Sequence, residues 1–186
     1  MVQFDIVPER REGMVFWLIF IQKMNAMPLR CTFALNGQST SFLKCPGVGV
    51  MAAFSGHGAG RNNPNATGRE DVGPIPRGTY YIVDRQSGGR FGWFYDLWGK
   101  YGYGSTDHTQ WFMLWNGRTG DSTYVGRVKR GSFRLHPVGR MRLSDGCITV
   151  MSPPKFAQFA DALRKSGADI SVPGTTLKAY GTVDVQ

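Results

Sequence analysis

The sequence predicts a mainly β domain with one short helix near its C-terminal end, and three observations lead there. Twenty-five glycines and ten prolines are spread among short aromatic and apolar runs, the mark of many turns between short strands. Several runs alternate with a period of two, whereas one stretch has the 3.6-residue period of an amphipathic helix. At 186 residues the chain is long enough for one domain that buries about 70% of its unfolded surface, and short for two. A 13% aromatic content beside 19% charge excludes a disordered chain, and no internal repeat is present.

Taken in order, Thr32 to Leu35 reads as a strand that turns through Asn36-Gly37, a pair tolerant of positive φ, into Ser41 to Leu43. Thr79 to Val83 follows a Gly-Pro-Ile-Pro-Arg-Gly lead-in, and Trp111 to Trp115 precedes Asn116-Gly117. Ser132 to His136 and Cys147 to Met151 complete the strand set. The helix begins at Ser152 as its cap, with Pro153 and Pro154 in the first turn. Phe156, Phe159, Ala160 and Leu163 then line one face, and Gly167 ends it. That face is expected to pack on the sheet near Cys147.

The chemistry concentrates in FRLHPVGRMRLSDGCITV, residues 133–150, where His136 and Cys147 stand eleven residues apart. A free thiol has a pKa near 8.5, so acyl transfer by cysteine needs an imidazole to take its proton and positive charge to favour the thiolate. Arg134, Arg140 and Arg142 supply candidate charge. Gly146 allows close backbone approach to a reacting carbonyl, and the Cys147 amide is a candidate oxyanion donor. A cysteine opening an apolar run is ordinarily a buried strand residue, and a histidine at a strand end is ordinarily just hydrogen-bonded. Their joint placement at the ends of two short strands points to function. Histidine precedes cysteine, the reverse of the papain-like order.

Other candidates carry less. His108 sits in a polar loop before a strand, where it is a candidate for the wall of a substrate groove. His57 lies in Ser55-Gly56-His57-Gly58 with no phosphate-loop lysine behind it, so no nucleotide site is expected. Three histidines and three cysteines show neither His-Glu-x-x-His nor Cys-x-x-Cys spacing, so no metal and no cofactor are expected. With three cysteines at least one is unpaired, and Cys147 must be that one if it is catalytic. Cys31 and Cys45 suit either a disulfide formed in an oxidising compartment or two buried thiols. Residues 14–21, MVFWLIFI, are eight apolar residues, fewer than the roughly 18 to 20 of a membrane span, so no stable membrane insertion is expected. Glu9 and Glu12 dilute a signal-peptide n-region, and Arg30 spoils a lipoprotein box.

His136, followed by Ser144-Asp145-Gly146-Cys147, resembles the His…Ser/Thr-x-Gly-Cys signature of YkuD-type L,D-transpeptidases. Here Asp145 stands where a histidine often precedes the glycine, Thr149 replaces an arginine, and the His-to-Cys spacing is short. These departures fit the L,D-transpeptidase effectors of type VI secretion systems. Their signature, Arg-Gly-x-Phe-Arg-Leu-His-Pro followed by Ser-x-Gly-Cys-Ile-Thr, is similar to Arg130 to Pro137 and Ser144 to Thr149. CTFALNGQSTSFLKCPGVGVMAAFSGHG, GPIPRGTYYIVDRQSGG and HTQWFMLW extend the resemblance over roughly residues 28–165.

The resemblance implies an L,D-transpeptidase-like β-sandwich or β-rich catalytic domain over residues 27–186. Residues 1–26 would then be an N-terminal extension outside the native product, with Met27 as its start. It implies Cys147 as nucleophile and His136 as base, with Gly146 and Ser144 as supporting catalytic residues; Arg142, Arg134 and His108 are read from the sequence itself as candidate substrate-binding residues. The implied partners are peptidoglycan stem peptides, the type VI apparatus and a cognate immunity protein. The implied route runs from the producer's cytoplasm into the target cell's periplasm. The net charge of +9 suits an anionic wall. Because the basic residues are scattered, no nucleic-acid partner is expected. A noncatalytic basic module binding wall or nucleic acid is the alternative reading.

Overall fold

The computed structural model describes residues 28–84 and 111–186. The proposed 1–26 extension and His108 lie outside the described residues. Eleven strands and one α-helix occupy the described part. They are β1 (Leu29–Phe33), β2 (Ser41–Cys45), β3 (Gly49–Phe54), β4 (Gly78–Asp84), β5 (Phe112–Asn116), β6 (Ser122–Val125), β7 (Val128–Gly131), β8 (Arg134–Pro137), β9 (Ile148–Val150), α1 (Pro153–Ser166), β10 (Ile170–Ser171) and β11 (Lys178–Val185).

Alternation decides which face each strand buries. In β2, Ser41, Leu43 and Cys45 are buried while Phe42 and Lys44 are exposed. The strands run β1-β2-β3-β9-β8-β5-β4-β11, and β11 pairs in parallel with β1, so the wall closes into a barrel. The expected β-rich domain with one short helix forms. Its sheet closes on itself instead of dividing into the two layers of a sandwich, which leaves no exposed ladder within the ring. β10 flanks β11, and β6–β7 is a separate hairpin. The core is filled by Phe33, Leu43, Tyr80, Phe112, Leu135, Ile148 and Val183, with Phe156 and Phe159 of α1.

The helix matches its predicted bounds. Ser152 Oγ accepts from the Lys155 amide at 3.5 Å, and Gly167, at φ 83°, ends it. Phe156 and Phe159 meet the Phe112 ring edge-on at 6.3 and 6.5 Å, and Arg164 lies over that ring at 4.9 Å. α1 thus packs on β8, which bears His136, and on β11.

The first hairpin is longer than the Asn-Gly pair predicts. β1 and β2 pair antiparallel, but residues 34–40 link them, and the Asn36 side chain organises that loop by accepting from Gln38 N and donating to Thr40 O, both at 3.0 Å. One register step beyond Thr32↔Lys44, Cys31 and Cys45 face each other and are joined by a disulfide, which leaves Cys147 as the free thiol. Closing a loop of 14 residues stabilises a fold by about 3 kcal/mol in the chain-entropy account. Replacing both cysteines with alanine is therefore expected to lower unfolding free energy by about 2–4 kcal/mol, read from urea midpoints. An unchanged midpoint would show that the crosslink adds nothing to the barrel.

Candidate active site

β8 and β9 are adjacent and parallel, with Leu135 opposite Ile148, His136 opposite Thr149 and Pro137 opposite Val150. Leu135, Ile148 and Val150 are fully buried in the core. Alternation therefore turns Arg134, His136, Cys147 and Thr149 to the other face of the wall. Cys147 lies one step before Ile148, so Arg134 stands directly across from it and His136 neighbours it on the diagonal of that face. Both side chains are covered: His136 is 4% and Cys147 7% exposed. The Trp111 indole stacks on the imidazole, centroids 4.3 Å apart and planes 19° apart.

The imidazole is oriented by the backbone. Its Nδ1 lies 2.8 Å from Pro137 O, and a carbonyl can only accept, so in the neutral ring Nδ1 carries the proton. Nε2 keeps its lone pair and points to β9, where Thr149 Oγ1 lies at 3.3 Å. The acceptor nitrogen of His136 thus faces the strand that Cys147 immediately precedes.

The turn before Cys147 is held at three successive carbonyls. Arg130 Nη2 donates to Asp145 O at 3.3 Å, Ser55 Oγ to Gly146 O at 3.0 Å, and Ser144 Oγ to Cys147 O at 2.7 Å. Ser144 therefore holds the turn and not the imidazole. The Arg130 guanidinium is anchored in the same place by Gly73 O at 3.0 Å and by Thr67 O. Gly146 has φ 116°, open only to glycine at low cost. The Asp145 carboxylate turns outward to His57, whose Nδ1 lies 3.4 Å from Asp145 Oδ1 and 3.2 Å from Ser144 O. Burial raises the Asp145 pKa, and the His57 charge partly offsets that rise.

The arginines fall in different places. Arg134 is buried, its Nη1 bonded to Asp121 Oδ1 at 3.0 Å and Phe133 O at 2.8 Å. Arg142 is exposed in the β8–β9 link, at φ 52°. Burial pushes the Cys147 thiol up to about 11, against the opposing pull of the Arg134 charge and a backbone hydrogen bond from Arg134. The Arg134 charge, read from the sequence as favouring the thiolate, acts in that direction, but desolvation outweighs it.

Two consequences are measurable. Alkylation of Cys147 by iodoacetamide is expected to rise with pH beyond 9 without a plateau near neutrality. At pH 7.5 it should run roughly a hundredfold below a thiol of ordinary pKa. A plateau near pH 7 would mean a resting thiolate. The folded pKa lies above the unfolded one, so the stabilising contribution of the neutral thiol is present below about pH 9 and is lost as pH rises towards 11.

Of the residues named from the sequence as candidates, His136, Cys147, Gly146 and Ser144 come together here, and the side chains that surround them were not named as candidates. Trp111 appeared only as a strand residue, Thr149 only as a departure, and Ser55 and His57 only as parts of a glycine-rich loop. The one available signal was that loop, where small polar residues follow an apolar strand.

This is a closed β-barrel domain with a buried thiol and an oriented imidazole on neighbouring strands of its wall. A family model described as the Tlde1 domain matches residues 49–175, more than half of the chain and all of the residues just placed around Cys147. The chain therefore belongs to the Tlde1 domain family, a family of type VI secretion effectors. Membership makes it a type VI effector toxin, with the secretion apparatus and an immunity protein as its partners. A comparison with curated proteins gave no match. Among the described residues no helix is long and apolar enough to cross a membrane.

Proposed function

We propose that this effector is a cysteine-dependent L,D-carboxypeptidase and L,D-transpeptidase that acts on tetrapeptide stems of peptidoglycan. The observation that carries the reading is the oriented His136. With Nδ1 bonded to Pro137 O, its Nε2 is the base, on the face of the wall that also bears Cys147. A thiol that is neutral at rest requires such a base, since it attacks only as its proton leaves.

Nε2 takes the Sγ proton as sulfur bonds to the carbonyl carbon of the third stem residue. The Cys147 amide, with its Gly146 neighbour, donates to the oxyanion. As the tetrahedral carbon collapses, the C–N bond breaks and His136 returns the proton to the departing amine of D-alanine. Water then attacks the thioester, giving a tripeptide and free thiol, or the amine of a D-amino acid attacks and gives the exchanged tetrapeptide. Asp145 stays outside this sequence, engaged by His57. Arg134 contributes positive charge beside the thiol, and Arg142, exposed in the β8–β9 link, is the proposed contact for a substrate carboxylate. The Cys31–Cys45 bond supports action in an oxidising compartment, the target cell's periplasm.

Mass spectrometry of purified tetrapeptide muropeptides incubated with the protein, with and without a D-amino acid, tests the reading. The expected products are tripeptide in the first case and exchanged tetrapeptide in the second. Unchanged substrate in both would sink it.

A further inference from the structure

We propose that Ser55 is the positioning residue of the oxyanion donor, acting through the Gly146 carbonyl. The inference deepens the reading above and rests on its assignment of Cys147 as an acyl-transfer nucleophile. Ser55 follows β3 and is fully buried, 91 residues from Gly146 in the chain. Its hydroxyl is used in both directions, since Oγ accepts from the Ile75 amide at 2.8 Å and donates to Gly146 O at 3.0 Å. Because the Ile75 amide can only donate, the Ser55 proton is committed to Gly146 O. The Ser55 backbone is itself fixed by Asn62, whose Oδ1 accepts from Ser55 N and whose amide donates to Ser55 O, each at 2.8 Å.

The consequence follows from the planarity of the peptide unit. No described peptide bond is cis, so the Gly146 carbonyl and the Cys147 N–H point in opposite directions across one rigid plane. Tying that carbonyl to a buried hydroxyl aims the Cys147 N–H away from Ser55, outward from the packed interior. Arg130 does the same for the preceding plane by holding Asp145 O. Without these bonds the peptide next to Gly146, the residue with the widest conformational freedom, is free to rotate its N–H off the oxyanion. Preorganised donors matter because they are already aimed when charge develops.

The test separates reactions that build an oxyanion from those that do not. In p-nitrophenyl acetate acylation, Cys147 sulfur bonds to the acetyl carbon, p-nitrophenolate leaves, and the thiol proton passes through His136 to solvent. Iodoacetamide alkylation displaces iodide at a methylene and forms no oxyanion. With Cys147→Ala as the blank, Ser55→Ala is expected to acylate about 10- to 100-fold more slowly than wild type, while alkylation stays within about twofold. Ser55→Gly carries the same expectation and serves where the alanine variant folds poorly.

Both rates falling together would overturn the proposal, because Ser55 would then hold the thiol and not the amide. Acylation at the wild-type rate would also overturn it, as would a wild-type protein acylated no faster than the blank. The muropeptide assay reads the wild type alone, so failure there removes the tetrapeptide substrate without deciding the role of Ser55.

Discussion

Replacing Cys147 with alanine is expected to stop the release of D-alanine from tetrapeptide stems, with the rate falling at least about a thousandfold and the fold intact. The first half of the expectation follows from chemistry, since alanine offers no atom to carry the acyl group. The second follows from position. Cys147 lies just outside β9, on the face away from the packed interior, and the hydrogen bond that Ser144 gives it goes to its backbone oxygen. Losing one sulfur there removes the backbone hydrogen bond from Arg134 but leaves the bonds that hold the turn in place, so the unfolding free energy at pH 7, read by urea titration, should fall by no more than about 1–2 kcal/mol. His136→Ala should cost nearly as much activity, because a nucleophile and its base fail as a unit. Toxicity in target cells that persists in both variants would instead favour a noncatalytic basic binding module.

Gly146→Ala is expected to lose both stability and activity. A Cβ at residue 146 would lie 2.7 Å from Arg130 Nη2 and 2.9 Å from Phe133 Cε1, and φ 116° is a conformation that residues with a side chain rarely adopt. Neither neighbour can yield easily: Arg130 is tied to Gly73 O, Thr67 O and Asp145 O, and Phe133 is buried in the core. Strain of about 1–3 kcal/mol in the backbone adds to a comparable cost of overpacking. The expected loss is about 3 kcal/mol by denaturant titration, with D-alanine release reduced by more than about a hundredfold. A variant as stable as wild type would show that the turn does not need this conformation.

How much of this was legible in the sequence depended on how far apart the interacting residues lie. The helix was readable to its ends because cap, prolines, apolar face and terminal glycine are all local signals. The strands of the candidate site were readable because His136 and Cys147 are separated by one short polar link. Ser55 was not, since its partner is 91 residues away and a lone serine after a strand has no pattern of its own. The neutral state of the thiol was hidden for a related reason. The sequence displays nearby arginines but not the depth of burial that outweighs them.

The β1–β2 link shows the same limit at smaller scale. Asn36-Gly37 correctly marks a turn, yet the pairing begins several residues further out. The turn signal is confined to two residues, whereas the register is set by which of the flanking side chains face the core. Closure of the barrel was also invisible. Residues 178–185 form a long, half-apolar strand, but nothing local to them tells that their partner on one side is the first strand of the domain.

That closure has a consequence for how the toxin comes into being. β11 sits between β4 and β1, and its pairing with β1 joins residues 178–185 to residues 29–33. During synthesis, β8 and β9 emerge from the ribosome well before β11, so the two strands of the site wait for the last stave of the ring. Such sequence-distant pairing is slow to form, because a long loop must close before any contact compensates for it. A producing cell therefore holds, while residues 151–185 are being made, a chain whose candidate-site strands have been synthesised but whose wall is still open.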